Sequence, residues 1–305
     1  MNGNGIALLG RNEIDINKYD LCIENAINSR VYAFSWYLDV VADDWDVLVL
    51  EDYRAVMPLP KKKKYGFSFY YQPVFSQQLG FFSYSNDQEI QQIFEEIIPW
   101  NKILLYNFNS NNRIAQNSRK STNDNFEINL NESIVYLRKN YRKDRLKSLR
   151  KARAAALLLK DGHNIESLVS LYKETFSFVN HNNAYYEKVK ALLTYSLKTQ
   201  RGVLRSVYLE NDLVASAFFF ITDRRIYYVF GASNIVGKQH GATTLLIDSM
   251  IEEYSESKMV FDFEGSSITN VASFYSSFGA VKTKYQVVME PKIFSYLNKI
   301  RQLKF

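Results

Sequence analysis

Asp262 and Glu264 stand at the end of the apolar run MVFDFEG. Side chains alternate along a strand, so two acids spaced by two share one side and leave Phe261 and Phe263 to the other. Carboxylates at the end of a central strand suit the removal of a proton from a nucleophile. The competing reading of each is a helix cap or the partner of a basic side chain, and Glu264, nearer the strand end, is the preferred base. Just upstream, Gly237 and Gly241 precede an amphipathic stretch, so a helix opens there from a loop with unpaired N–H groups at its positive end, an arrangement suited to anions. Gly237 and Gly241 therefore mark a candidate anion-holding end, and His240 between them is either a turn filler or a proton carrier. Ser233 and Asn234, closing IYYVFGASN, either hydrogen-bond a substrate or make the turn.

Two further stretches carry recognition chemistry. Arg138 to Arg153 holds nine basic residues against Asp144 alone, and guanidinium binds phosphate in a bidentate way, so Arg142, Arg145 and Arg150 are the candidate anion contacts. A solvated helix face is the competing reading of the same charges. The second stretch, residues 65–83, packs eight aromatic residues among Gln72, Gln77 and Gln78. Tyr71, Gln72 and Gln78 fit a cleft wall, where rings stack and amides read a peptide or sugar, or else core aromatics beside solvated amides.

The elements that must position these groups follow from pattern. IYYVF is a buried strand that Gly231 stops, and from Ala242 the apolar residues Leu245, Leu246, Ile247, Met250, Ile251 and Tyr254 form one helical face. With MVFDF as a second strand, the strand–helix–strand order implies parallel pairing. Earlier, DINKYDLCIENAINS and VYAFSWYLDVVA read as helices. WDVLVL and RAVMPL form a hairpin ended by Pro58 and Pro60, with Lys61–Lys64 as a solvated turn. SNDQEIQQIFEEIIP is a helix capped at Ser85 or Asn86, and NKILLYNFN a strand. Beyond Asn131 come the basic helical region, a turn at Asp161-Gly162, two amphipathic helices, a three-strand meander, a closing strand in AVKTKYQVVM and a last helix in PKIFSYLNKIRQLKF.

Composition bounds the rest. A chain of 305 residues with 47% hydrophobic content supports a sizeable core in two domains. We expect 1–130 and 131–305. The net charge of +6 resides in the basic segment, which favours an anionic partner at one surface. No run suits a membrane span, and the first residues lack a signal peptide, so the expected location is cytoplasmic. Cys22 is the lone cysteine, no histidine–cysteine set has zinc-like spacing, and no Ser-His-Asp or Cys-His set is apparent, so we expect no metal. Nucleic-acid motifs are absent, and we expect no DNA partner.

The pieces GAS, DFEGS and VASFYSSFGA, with Tyr275 four positions before Gly279, resemble the acyl-CoA-binding core of the GNAT acyltransferases, and more closely the FemXAB-like group of tandem GNAT proteins. The resemblance implies an α/β (α+β) chain of two GNAT-like domains, each a mixed twisted sheet flanked by helices. The first would lie on the acceptor side and the second on the donor side, with the site between them. It implies a transferase moving an acyl or aminoacyl group onto an amine of a cell-envelope precursor, such as a peptidoglycan precursor, or of a related small molecule. No cofactor would be tightly bound, and acyl-CoA or aminoacyl-tRNA would be the donor. The partners it implies are an anionic small molecule and charged tRNA. In GNAT enzymes a tyrosine at the place of Tyr275 protonates the departing thiolate, whereas FemXAB-like proteins often carry Phe there. The family's pyrophosphate loop, Gln or Arg, two residues, Gly, one residue, then Gly or Ala, falls on Gly237–Ala242, so the resemblance implies Gly237, His240, Gly241 and Ala242 as the cofactor-holding residues, and only Ala242 fits the pattern. The long helical hairpin of tRNA-using relatives is missing. The alternatives are an acyl-CoA-dependent N-acetyltransferase and a non-catalytic GNAT-derived module that binds an anion.

Overall fold

The computed structural model describes residues 5–290 apart from 65, 86–87, 116–119, 180 and 266–267; the expected last helix falls outside them. The architecture is mixed α/β, with sheets flanked by helices, in two compact units. One comprises Met1–Asn123 with the chain from Lys284 onward, and the other Asp124–Thr283.

The first unit contains β1 (Ile6–Gly10), α1 (Ile16–Asn25), α2 (Ser35–Val41), β2 (Asp44–Leu50), β3 (Ala55–Lys64), β4 (Phe67–Tyr70), β5 (Phe82–Ser83), α3 (Gln88–Ile97) and β6 (Leu105–Asn107). Asp15 caps α1 by accepting from the Lys18 N–H. The cap position of α3 falls partly on residues not described. Four expectations need correction. The stretch from Val31 is helical only as a short 3-10 turn, Val31–Ala33, followed by α2. The run NKILLYNFN yields only the three residues of β6. Pro58 and Pro60 do not end the pairing, because they stand opposite Val47 and Trp45 in the β2–β3 register. On its other edge β3 meets β5 only at Ala55 and Val56 and β4 only from Lys61. The prolines fall in the gap between, where a missing N–H leaves no ladder bond unmade. Lys61–Lys64 is thus strand rather than turn, and Lys61 pairs with Asp44 and Asp46.

The second unit, with the strands that enter and leave it, is built from β7 (Lys120–Asn129), α4 (Ile134–Lys139), α5 (Lys143–Ala154), β8 (Leu158–Gly162), α6 (Ile165–Thr175), α7 (Asn183–Lys198), β9 (Gly202–Leu209), β10 (Asp212–Thr222), β11 (Arg225–Ser233), α8 (Ile235–His240), α9 (Ala242–Glu253), β12 (Val260–Asp262), α10 (Thr269–Ser276) and β13 (Val281–Met289). Its strand order is β7-β12-β11-β10-β9-β8. The expected turn at Asp161-Gly162 is strand, because Asp161 stands opposite Arg205 and binds its guanidinium at 2.7 Å.

β11 and β12 run parallel, as the strand–helix–strand order predicts, paired from Arg225–Val260 to Tyr227–Asp262. β11 passes through Gly231 and ends at Ser233. Its register against β10 jumps between Phe218–Phe230 and Phe219–Tyr228, leaving Val229 as a bulge. Cross-strand partners share a face, so Tyr228 with Phe219, Gly231 with Ala217 and Ser233 with Ala215 all lie on one side. That side belongs to the core formed with Leu246, Ile247, Met250 and Ile251 of α9.

Candidate functional site

The two parallel strands separate after Tyr227 and Asp262. Beyond Asp262 the chain turns toward β7: the Phe263 N–H donates to the Phe126 carbonyl, and the Gly265 N–H to Asn125 Oδ1. Glu264 makes this turn with φ 51°, in the left-handed region. Among the described residues no strand continues opposite Tyr228–Ser233 on that edge of β11.

Asp262 and Glu264 therefore do not share a strand face, because the strand ends at Asp262. The Asp262 carboxylate is fully buried and accepts from Arg225 Nη1 at 2.8 Å, from Asn125 Nδ2 at 3.0 Å and from the Glu264 N–H at 2.9 Å. Arg225 also meets Glu127 at 2.8 Å. Burial pulls the Arg225 guanidinium down, but the charges of Asp262 and Glu127 outweigh it and hold the group above its ordinary value. Asp262 is thereby committed to holding the end of β12 and the turn that carries Glu264.

Tyr275, on α10, is half-buried against Phe263, with ring centroids 4.9 Å apart, and meets Tyr228 edge-on at 6.3 Å. Burial raises its phenol well above the ordinary value, and Tyr228 and the Glu264 charge add to the shift. Burial likewise pushes Tyr228 up to about 12. Both phenols keep their protons at neutral pH. An unfolded tyrosine ionises near pH 10, so this contribution to stability is complete below about pH 10 and is lost as pH rises through the folded values. Tyr228→Phe and Tyr275→Phe should each make the alkaline fall in melting temperature shallower between about pH 10 and about pH 12, read by calorimetry. An unchanged fall would mean that the phenols ionise freely in the folded chain.

Gly237 to Ala242 do not form an open loop. Ile235–His240 is the short helix α8, capped by Asn234 Oδ1, which accepts from the Gly237 N–H at 2.8 Å. The Lys238 N–H is taken by the Asn234 carbonyl and that of Gly241 by Lys238. Gly237 is buried, and a Cβ there would lie 2.2 Å from the Val214 carbonyl oxygen. Gly237→Ala should therefore cost about 1–3 kcal/mol in chemical denaturation. Gly241, with φ 75°, ends α8 and opens α9 against Ser148. Ala242 is the first residue of α9, and His240 is half-buried with Nδ1 unbonded among the described residues. Ser233 donates to the Val214 carbonyl. Ser233 and Asn234 line a shallow cavity of about 360 Å³ with Thr175, Ile235 and Lys238.

The basic segment divides by partner. Arg138 and Arg153 both reach Asp248 and Glu252 of α9. The anions that relieve its self-repulsion are thus partly internal, on a helix far along the chain. Arg142 is exposed, paired with Asp144 and donating to Ser273 at 3.1 Å. Arg145 donates to Ser277 Oγ at 2.8 Å and Thr244 Oγ1 at 2.5 Å, and lies over Phe274 and Phe278. It joins the first turn of α9 to the end of α10, just past Tyr275. Burial lowers its pKa, partly offset by Asp144 and reinforced by Arg142. Arg150 is exposed on α5.

In the first unit, the Tyr71 hydroxyl lies against Asp43, with Lys62 over the ring. The Gln72 amide spans Ser76 and Asn107. Gln78 is fully buried and bonded to Gln77 and Ser110. Both amides hold loop backbone. No group of three metal-ligating side chains occurs among the described residues, and none of their helices is long and apolar enough to cross a membrane.

Sequence reasoning missed Tyr228, Arg225 and Asp248. Tyr228 lay inside an apolar run and the other two carried charges with no local partner.

Residues 137–267 match the family model described as the acetyltransferase (GNAT) domain. Comparison with the curated proteins finds no match. Among solved structures the chain is similar to FemX (TM-score 0.68, 10% identity, 95% of this chain and 99% of that one). It is also similar to L-PGS from Bacillus licheniformis (0.55, 10%, 91% and 92%) and to a conserved protein of unknown function from Bacteroides thetaiotaomicron (0.54, 12%, 90% and 97%). The GNAT resemblance is met: the second unit carries a GNAT domain, in a chain with the fold of FemX.

Proposed function

We propose that this chain, an acyltransferase by the type of its domain, moves an aminoacyl or other acyl group from an activated, anionic carrier to an amine of a cell-envelope precursor. The observation that carries this reading is the parting of β11 and β12, with Glu264 and Tyr275 beside it and Arg145 at the start of α9. Transfer requires the amine to lose a proton, the carbonyl carbon to bond nitrogen, and the leaving atom to gain a proton. Glu264 takes the first proton and Tyr275, which stays neutral, gives the second. Arg145 carries its charge at the positive end of α9, where the helix dipole and Arg142 both oppose it, and a phosphate bound there relieves that opposition.

The fold of FemX covers 95% of the chain, and the FemXAB-like resemblance supports an aminoacyl donor. The amides consumed within α8 also support it, since an open pyrophosphate-holding loop would leave them free. The second reading, an acyl-CoA donor, is favoured by the first amides of α9 beside Arg145. Calorimetric titration separates the two: the first predicts binding of alanyl-tRNA and none of acetyl-CoA, and the converse would replace it. In either case Arg145→Met should raise KM for the donor by about tenfold and flatten its salt dependence. An unchanged salt slope would remove Arg145 from the donor site.

A further inference from the structure

The bulge at Val229 changes which side chains of β11 face α9 and α10. Simple alternation would put Tyr228, Phe230 and Ala232 on one face. The observed register instead gives Tyr228, Gly231 and Ser233. The consequence is local and specific. A Cβ built on Gly231 would lie 2.8 Å from the Tyr228 hydroxyl oxygen and 3.0 Å from its Cε2. The Tyr228 ring therefore extends along its own strand and rests its hydroxyl over the bare backbone of Gly231. Phe219, 5.6 Å away between ring centroids, backs the ring, and Tyr275 meets it edge-on. Neither the Tyr228 nor the Tyr275 hydroxyl has a hydrogen-bond partner among the described residues. Two half-buried phenols, one on the strand and one on the helix, thus bring unused donors to the place where β11 and β12 part.

We propose that Tyr228 is a second donor residue of the transfer site, its hydroxyl binding the carbonyl oxygen of the transferred group, and that Gly231 is the seat that keeps this hydroxyl in place. The proposal rests on the acyl-transfer reading and adds a division of labour to it. As the amine nitrogen bonds the carbonyl carbon, the carbonyl electron pair moves onto oxygen and the Tyr228 O–H stabilises that charge. Glu264 takes the amine proton. On collapse the bond to the carrier breaks, and Tyr275 gives its proton to the leaving atom. The electrons and protons balance with no further reactant. Tyr228 donates a hydrogen bond and keeps its proton, so its raised pKa is compatible with the role.

A double-mutant cycle tests it. Tyr228→Phe deletes the hydroxyl and keeps the ring, whereas Gly231→Ala keeps the hydroxyl and displaces it. Each should lower kcat by about 10²–10³-fold with KM nearly unchanged, the range for loss of one oxyanion donor. The pair together should be no slower than Tyr228→Phe alone, because both changes act through one atom. Multiplying losses, or a loss that appears in KM alone, would overturn the proposal. Should the wild-type chain transfer from neither alanyl-tRNA nor acetyl-CoA, the functional reading fails, and the pair is then read without turnover. In protein carrying tyrosine isotope-labelled at Cζ, titration with alaninamide should move the resonances of both Tyr228 and Tyr275, and Gly231→Ala should abolish the Tyr228 response. A response confined to Tyr275, or none, would overturn the assignment.

Discussion

Replacing Arg225 by Met should destabilise the second unit by about 3–5 kcal/mol. The guanidinium bridges Asp262, with no side-chain exposure, and Glu127, 15% exposed. Removing it leaves two carboxylates facing each other without a counter-ion, next to the turn that sets Glu264. The size of the effect comes from what is left behind rather than from the pair itself. A buried carboxylate without its cation loses its solvation and gains a like-charged neighbour. It follows that Arg225→Met combined with Asp262→Asn should recover part of the loss, since the amide still accepts from the Glu264 N–H. Urea denaturation measures both. A loss under about 1 kcal/mol for the single variant would mean that the pair behaves as an exposed ion pair and that β12 is held by other contacts.

The second large effect is catalytic. Glu264→Gln should lower kcat by about 10²–10⁴-fold, the range for removal of a positioned acid or base, with melting temperature little changed. Glutamine keeps the side-chain shape and the backbone N–H that donates to Asp262. Tyr275→Phe should reduce kcat within the same range of about 10²–10⁴-fold while preserving the packing on Phe263. The two variants also differ in pH response. Loss of the base removes the acidic limb of the rate profile. Loss of the phenol leaves that limb in place, because Tyr275 keeps its proton far above neutrality. Wild-type turnover in both variants would dissociate these residues from the chemistry.

Much of the second unit was legible in the sequence because its signals are local. The apolar face beginning at Ala242, the strand at Arg225, the parallel return through Phe261 and the pair Tyr275–Gly279 are each set by residues within a few positions of one another. What escaped depends on partners distant in the chain. Arg138 read only as part of an anion-binding or solvated basic face, because its partners Asp248 and Glu252 lie on α9. Asp262 read as a base because Arg225 and Asn125 meet it only once β11, β12 and β7 are aligned. Gly231 read as the stop of its strand, whereas β11 runs through it to Ser233 and the bulged residue at Val229 sets its face. In the first unit the prolines of β3 suggested an end to the strand, and only the staggered cover of β4 and β5 explains why they do not end it. Local pattern gave the elements, and the chemistry of the site came from register.

In the proposed reaction an acyl group passes to an amine at the opening between β11 and β12, with Glu264 as the base. Its most direct measurement is product formation. Radiolabelled alanyl-tRNA and acetyl-CoA are supplied in parallel to the wild-type chain and to Glu264→Gln, with a nucleotide-linked cell-envelope precursor bearing a free amine as acceptor, and the label is traced to an amide on that acceptor. Amide-linked label is expected from alanyl-tRNA with the wild-type chain, with a loss of about 10²-fold or more for Glu264→Gln. Label passing equally well in both proteins, or from neither donor in either, would contradict it.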